Sequence, residues 1–141
     1  MLNPIIHELF QKYRLLTKEV NSVLKKHDLF AAQWSVIYCI DLHTEMTLTQ
    51  IWKYLNVEAP TITRTVNRLE EMGWLVTREG KDRREKIVRL SEEAIQKLPH
   101  IKETIIQFES DCLNRLTREE ENQLILLLRK IDGKEVLVRD K

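Results

Sequence analysis

The chain is poor in the residues that make small or unusual folds. Cys39 and Cys112 are its two cysteines, too few for a disulfide framework. Three glycines and three prolines in 141 residues exclude collagen-like chains, linker-rich chains and turn-rich sandwiches. No run of 18 apolar residues occurs, so no membrane-spanning helix is expected. The opening Met1, Leu2, Asn3 and Pro4 lack the basic-then-apolar form of a signal peptide, and a cytoplasmic, reduced chain is the expectation. Catalytic signatures are missing too. There is no Gly-rich phosphate loop, no His-Glu-x-x-His and no Gly-x-Ser-x-Gly. His7, His27, His43 and His100 are scattered, and no Cys/His pair has zinc spacing. The expectation is therefore no enzyme, no metal and no cofactor.

What is present is a chain long enough to bury a core without staples. Hydrophobic residues make up 43% and charged residues 32%, which argues against disorder. The net charge of +1 rules out a uniformly basic coat, but the charge is unevenly placed. Residues 61–90 carry eight basic and five acidic side chains, whereas residues 91–131 carry six basic and eight acidic. Arg78, Lys81, Arg83, Arg84, Lys86 and Arg89 crowd into one short stretch, the local basic concentration expected of a nucleic-acid contact.

Hydrophobic spacing gives the order of elements. Asn3 as cap and Pro4 in the first turn open a helix over roughly 4–27, carried by Ile5, Leu9, Leu16, Val20 and Leu24. A mostly buried helix is expected over 31–42 around Trp34, Ile37, Cys39 and Ile40. Thr47 and Gln50 form a capping box before Leu48, Ile51, Trp52 and Leu55. After a turn at 56–58, Pro60 opens a helix over 59–72 striped by Ile62, Val66, Leu69 and Met72, and Gly73 stops it. These two short helices make a helix-turn-helix candidate. The period then changes to two: 74–78 and 86–90 read as strands of a hairpin with Gly80 in its charged tip. Ser91 caps a long helix in which Pro99 predicts a bend. Thr117 and Glu120 form a second capping box before Leu124, Leu127, Leu128 and Ile131. The fold class is thus mainly α with a small β-hairpin wing, a winged helix-turn-helix with additional helices at both ends.

The helices at the chain ends carry apolar stripes that one small reading head cannot cover. Ile5 and Leu9 at one end, and Leu124, Leu128 and Ile131 at the other, would leave a large sticky patch if exposed. Pairing two chains about a two-fold axis buries them. Residues 1–27 and 92–141 are therefore assigned to a helical dimerisation region, and 28–91 to the winged helix-turn-helix.

In the 59–72 helix the apolar stripe faces the core, so Pro60, Arg64, Asn67 and Arg68 project the other way, flanked by Thr61 and Thr63. A major groove admits one such helix. Arg64 suits a bidentate contact to guanine, Arg68 and Asn67 a phosphate or an adenine edge, and Thr61 and Thr63 a phosphate or a thymine methyl. The plain alternative is a solvated polar face. Lys81 and Arg83 of the wing suit phosphates, and Gln33 at a helix start is a further phosphate candidate, or simply a polar helix-start residue.

From Pro60 to Val76, and again from Asp82 to Ser91, the chain resembles the multiple antibiotic resistance regulator (MarR) family of bacterial winged-helix transcription factors. The carriers are the Arg64–Thr65–Val66–Asn67–Arg68–Leu69 run ahead of Gly73 and Trp74, and the Asp82–Arg83–Arg84 wing followed by a strand and Leu90–Ser91. The likeness extends over nearly the whole length. It implies a homodimer built on the terminal helices, binding to pseudo-palindromic double-stranded DNA, usually as a repressor, often with a ligand or oxidant that releases the DNA. It also implies that Asp82 holds an arginine in place and that Arg84 borders the minor groove.

Two further features are weighed against packing. Cys39 lies among Ile37, Tyr38 and Ile40, which suits a core thiol better than an oxidant sensor, and Cys112 is expected on the apolar side of its helix. Trp34, Trp52, Trp74, Tyr13 and Tyr38 either line a small-molecule effector cavity or belong to the core.

Overall fold

The computed structural model describes residues 1–82 and 84–133. Six helices and three strands follow in the order α1 (Pro4–Leu24), α2 (Ala31–His43), β1 (Glu45–Thr47), α3 (Leu48–Leu55), α4 (Ala59–Glu71), β2 (Leu75–Glu79), β3 (Lys86–Leu90), α5 (Glu92–Leu113) and α6 (Arg118–Lys130). A single 3-10 turn, Lys25–His27, extends α1 almost as far as the periodicity implied.

Local chemistry explains where the helices start and stop. Asn3 Oδ1 accepts the Ile5 N–H at 2.9 Å, satisfying one of the free donors at the start of α1. Both expected capping boxes form: Thr47 with Gln50 at 3.0 and 2.9 Å, and Thr117 with Glu120 at 3.1 and 2.9 Å. Gly73, at φ 87°, ends α4. Its N–H donates to Glu70 O, and the Trp74 N–H donates to Leu69 O, the paired bonds of a Schellman ending. That second bond holds Trp74 in the helix ending, so β2 begins one residue later than the alternation suggested. Asn56, at φ 59°, makes the left-handed step between α3 and α4.

Strand β1 has no counterpart in the sequence reading. It is three residues long, too short for alternation to register. It pairs antiparallel with β3, placing Met46 opposite Val88, and β3 pairs with β2, giving the order β1–β3–β2. One sheet face is apolar, with Met46, Leu75, Val88 and Leu90 buried. It joins the same core as Ile37 and Ile40 of α2, Ile51 of α3, Val66 and Leu69 of α4, and Leu98 and Ile101 of α5. Helix α5 continues from Glu92 to Leu113 through Pro99, so the expected bend does not interrupt it. Pro99 is exposed.

The terminal helices behave differently from this core. No residue of α6 is buried, and Leu124, Leu128 and Ile131 are 42%, 45% and 41% exposed. On α1, Ile5 and Phe10 are more than half exposed, and only Leu24 is buried. Within the arm, His27 Nε2 lies 2.8 Å from Thr104 Oγ1 of α5, and α5 is tied to the head by Lys102 Nζ, which pairs with Asp41 Oδ2 of α2 at 2.8 Å. Burial, then the nearby charges of Lys26 and His100, lower the His27 pKa below the ordinary imidazole value.

Cys39 is buried, and its thiol donates to Val36 O at 3.3 Å. Burial pushes its pKa up to about 12, so it is a packed thiol rather than a reactive one. Cys112 keeps to the apolar side of α5, lining a cleft with Phe108 and Val23, but it lies beyond Ile105, the last buried residue of that helix, and is exposed. Its pKa is raised by desolvation and then by Glu19, Asp111 and Glu109. Among the described residues no group of His, Cys, Asp and Glu could hold a metal ion, and no helix is long and apolar enough to cross a membrane.

Candidate nucleic-acid interface

Helix α4 divides into two faces as its spacing requires. Ile62, Val66 and Leu69 are 3%, 1% and 0% exposed, and Pro60, Thr63, Arg64, Asn67 and Arg68 are exposed on the other side. Thr61 is half-buried at the edge. The β-hydroxyls are partly used by the helix itself: Thr63 Oγ1 donates to Ala59 O at 3.1 Å and Thr65 Oγ1 to Thr61 O at 2.9 Å. Arg64 Nη2 leans on Thr61 Oγ1 at 3.4 Å, leaving most of its five donors facing outward. Arg68 is spanned by an exposed i,i+3 pair to Glu71 at 3.3 Å, which is worth little in water and yields readily to a phosphate. Glu58 makes no side-chain cap, so the N-terminus of α4 keeps its partial positive charge.

The wing carries the second set. Gly80 N–H donates to Glu85 O at 2.9 Å, closing the tip, and Glu85 N–H donates to Asp82 O at 2.8 Å. A Cβ on Gly80 would lie 3.0 Å from Glu85 Cβ, which is why glycine fits there. Asp82 Oδ1 accepts the backbone N–H of Arg84 at 3.1 Å. Asp82 thus fixes the main chain that presents Arg84, where the resemblance had implied a hold on an arginine. Lys81 and Arg84 are exposed, and Arg83 lies outside the described residues.

Gln33 is placed differently from the other candidates. Its Oε1 accepts the Phe30 N–H at 3.0 Å, capping α2, and its Nε2 approaches Met72 Sδ at 3.9 Å. The side chain therefore ties the start of α2 to the end of α4, and it is half-buried in doing so.

Two acidic residues that sequence reasoning passed over hold the wing. Glu70 Oε2 accepts from the Thr77 hydroxyl at 2.8 Å, and Glu45 is bound by Arg78. Without β1 in the sequence reading, nothing placed Glu45 beside the hairpin.

The aromatic set is divided between core and surface. Trp34 and Tyr38 stack at 5.7 Å between centroids, Tyr13 is exposed, and Trp74 is buried under Lys97 Nζ at 5.4 Å. Trp74 alone of the five lines a cleft of about 570 Å³ between the end of α1 and the middle of α5, together with Met72, Ile101, Lys26, His27 and His100.

Comparison with known proteins agrees with this geometry. A sequence model of the MarR family matches residues 29–86, which span α2 to the start of β3. The uncharacterised HTH-type transcriptional regulator YwoH of Bacillus subtilis is 43% identical over 125 residues, covering 89% of this chain and 91% of that protein. A mutant MarR from E. coli, solved in complex with operator DNA, superposes with a TM-score of 0.78 at 26% identity, covering 90% of each chain. The structure of Bordetella bronchiseptica BpsR, described for regulation of its DNA binding by 6-hydroxynicotinic acid, has the same fold: TM-score 0.84, 20% identity, 93% of this chain and 100% of that one. With its winged head, its extended terminal helices and a relative this similar over nearly its full length, this chain belongs to the MarR family of transcriptional regulators.

Proposed function

We propose that the chain works as a homodimeric repressor that binds a pseudo-palindromic operator, α4 lying in the major groove and the wing at the minor groove. The observation that carries this reading is one of placement. The polar face of α4 and the basic wing are exposed together, while the apolar faces of α1 and α6 stand uncovered on the terminal helices. In this reading residues 28–91 form the DNA-binding region, and residues 1–27 and 92–141 the dimerisation region. Ile5, Leu9, Leu124, Leu128 and Ile131 meet their partner copies. A two-fold axis then sets the two α4 helices for successive major grooves, about 34 Å apart or a multiple of it.

Each candidate takes a role suited to its chemistry. Arg64 reads guanine, and Asn67 and Arg68 serve an adenine edge or phosphate. Pro60, Thr61 and Thr63 border the backbone at the N-terminus of α4, where the helix dipole favours phosphate. Lys81 and Arg83 take phosphates, and Arg84, presented by Asp82, enters the minor groove, whose A·T-rich narrow stretches attract arginine. Gln33 contributes by fixing the start of α2, whose N-terminus approaches the same backbone. A small-molecule effector belongs to the same proposal: DNA binding by the structural relative BpsR is regulated by 6-hydroxynicotinic acid, and the cleft beside Trp74 is of a size that holds such ligands.

Light scattering together with fluorescence anisotropy tests this. The expected result is a mass twice the 16.9 kDa of one chain, and a steep salt dependence of operator binding. A monomer at micromolar concentration, or no DNA binding at low salt, would refute it.

A further inference from the structure

The neck of the wing is held on both faces by consecutive residues. On the inner face, the Thr77 hydroxyl donates to Glu70 Oε2 of α4 at 2.8 Å. On the outer face, Arg78 reaches across β3 to Glu45 on the edge strand β1, its Nη2 lying 2.9 and 2.8 Å from the two carboxylate oxygens. The register makes this reach possible. Thr47 and Arg78 face the same residue, Ile87, from opposite sides, and Glu45 stands two residues from Thr47. Glu45 and Arg78 therefore share one sheet face, with β3 between their strands and an offset of two residues, a gap that two long side chains reaching toward each other span. Beyond Arg78 a single pair, Glu79 with Lys86, remains before the tip. Glu45 in turn is fixed to the reading head, because its strand runs directly into Thr47, the cap of α3.

An acid beside a basic wing works against phosphate attraction, and here it also occupies one of the wing's arginines. The pair is about half exposed, with side chains 53% and 43% accessible, so it adds little to fold stability. We infer that Glu45 is a positioning residue for DNA binding: through Arg78 it fixes the angle of the wing to α4, so that Arg84 meets the minor groove while α4 occupies the adjacent major groove. Glu45 itself touches no DNA. The inference rests on the DNA-binding role proposed above and assigns it a residue outside the reading face.

The test has a decisive sign. Glu45→Ala makes the protein more positive, so charge alone would tighten DNA binding. Positioning predicts the opposite. Anisotropy on an operator obtained by selection from random DNA should show Glu45→Ala and Arg78→Ala each weakening specific binding by about threefold to tenfold. Binding to scrambled DNA should hold or tighten for Glu45→Ala, and the thermal midpoint should stay within about 2 °C. Two further variants separate positioning from other effects. Exchanging the pair, Glu45→Arg with Arg78→Glu, should restore specific binding to within about twofold of the parent. In an Arg84→Ala background, Glu45→Ala should cost less than about twofold, because the wing it aims no longer carries the arginine. Unchanged or tighter operator binding by Glu45→Ala, a failed exchange, or a full loss without Arg84 would each overturn the inference while leaving the DNA-binding role intact. A parent protein that selects no DNA would overturn that role instead, and the inference with it.

Discussion

Replacing Arg64 with alanine separates reading from folding more sharply than any other single change. The Arg64 side chain is exposed and leans on Thr61 Oγ1 at 3.4 Å, so its removal empties no core space. Alanine is also the better helix former, and the thermal midpoint should shift by no more than the equivalent of about 0.5 kcal/mol. Its loss at the DNA is larger. A bidentate arginine–guanine contact discriminates by about 1–3 kcal/mol. A two-fold dimer makes the contact twice, so operator binding should weaken by about 2–6 kcal/mol, or roughly thirtyfold to more than ten-thousandfold. Binding to scrambled DNA rests on phosphates and should fall much less. Anisotropy on both DNAs, beside a melting curve, measures the two effects independently. A folded Arg64→Ala dimer that binds the operator as tightly as the parent would refute the assignment of Arg64 to base reading.

Three other outcomes are expected. Arg84→Ala should lower operator affinity and make the log–log salt slope shallower by up to about 0.9 per lost phosphate-like contact, and an unchanged slope would exclude the wing from the interface. Leu128→Lys, on a helix with no buried residue, should leave the head folded by circular dichroism yet shift light scattering from two chains toward one, whereas a stable dimer would move the interface elsewhere. Cys39 gives a pH test. Its pKa is about 12 in the fold against an ordinary value of 9.0, so the fold favours the neutral thiol. The stability this confers is complete below pH 9 and declines as pH rises from 9 toward 12, by up to about 1.4 kcal/mol per pH unit. Urea unfolding between pH 8 and 10.5 should show stability falling more steeply with pH in the parent than in Cys39→Ala; equal slopes would contradict the assignment.

Much of the fold is written in local chemistry, and many of its boundaries therefore follow from the sequence. Asn3, Thr47, Ser91 and Thr117 each satisfy a helix start through their own side chains. Gly73 ends α4 through a conformation that other residues rarely adopt. The two faces of α4 follow from its 3.6-residue period, so Arg64, Asn67 and Arg68 could be singled out as outward-facing. What escaped the sequence depends on contacts distant along the chain. Strand β1 exists because Glu45–Thr47 finds β3 some forty residues later, and three residues carry no readable alternation. The reach of Arg78 to Glu45 follows from that pairing and was hidden with it. The acceptor of Gln33 faces Phe30 in the cap of α2, a local bond that its polar character alone did not distinguish from a phosphate contact. Cys112 lies on the same side of α5 as Leu98, Ile101 and Ile105, as its spacing implies, but beyond the last buried residue of that stripe, so it is exposed; Ile95 and Ile106, on another side, are both more than half exposed. Hydrophobicity there marks a surface still to be covered as well as a core.

Selection of DNA from a random library by the purified protein, followed by sequencing, bears most directly on the claim that two copies of this chain read DNA through α4 and the wing. The account predicts enrichment of one pseudo-palindrome whose half-sites are centred about one helical turn apart, or a multiple of it, with guanine at the symmetric positions lost to Arg64→Ala. A protein that enriches nothing, or that enriches a single half-site without its inverted partner, would contradict it.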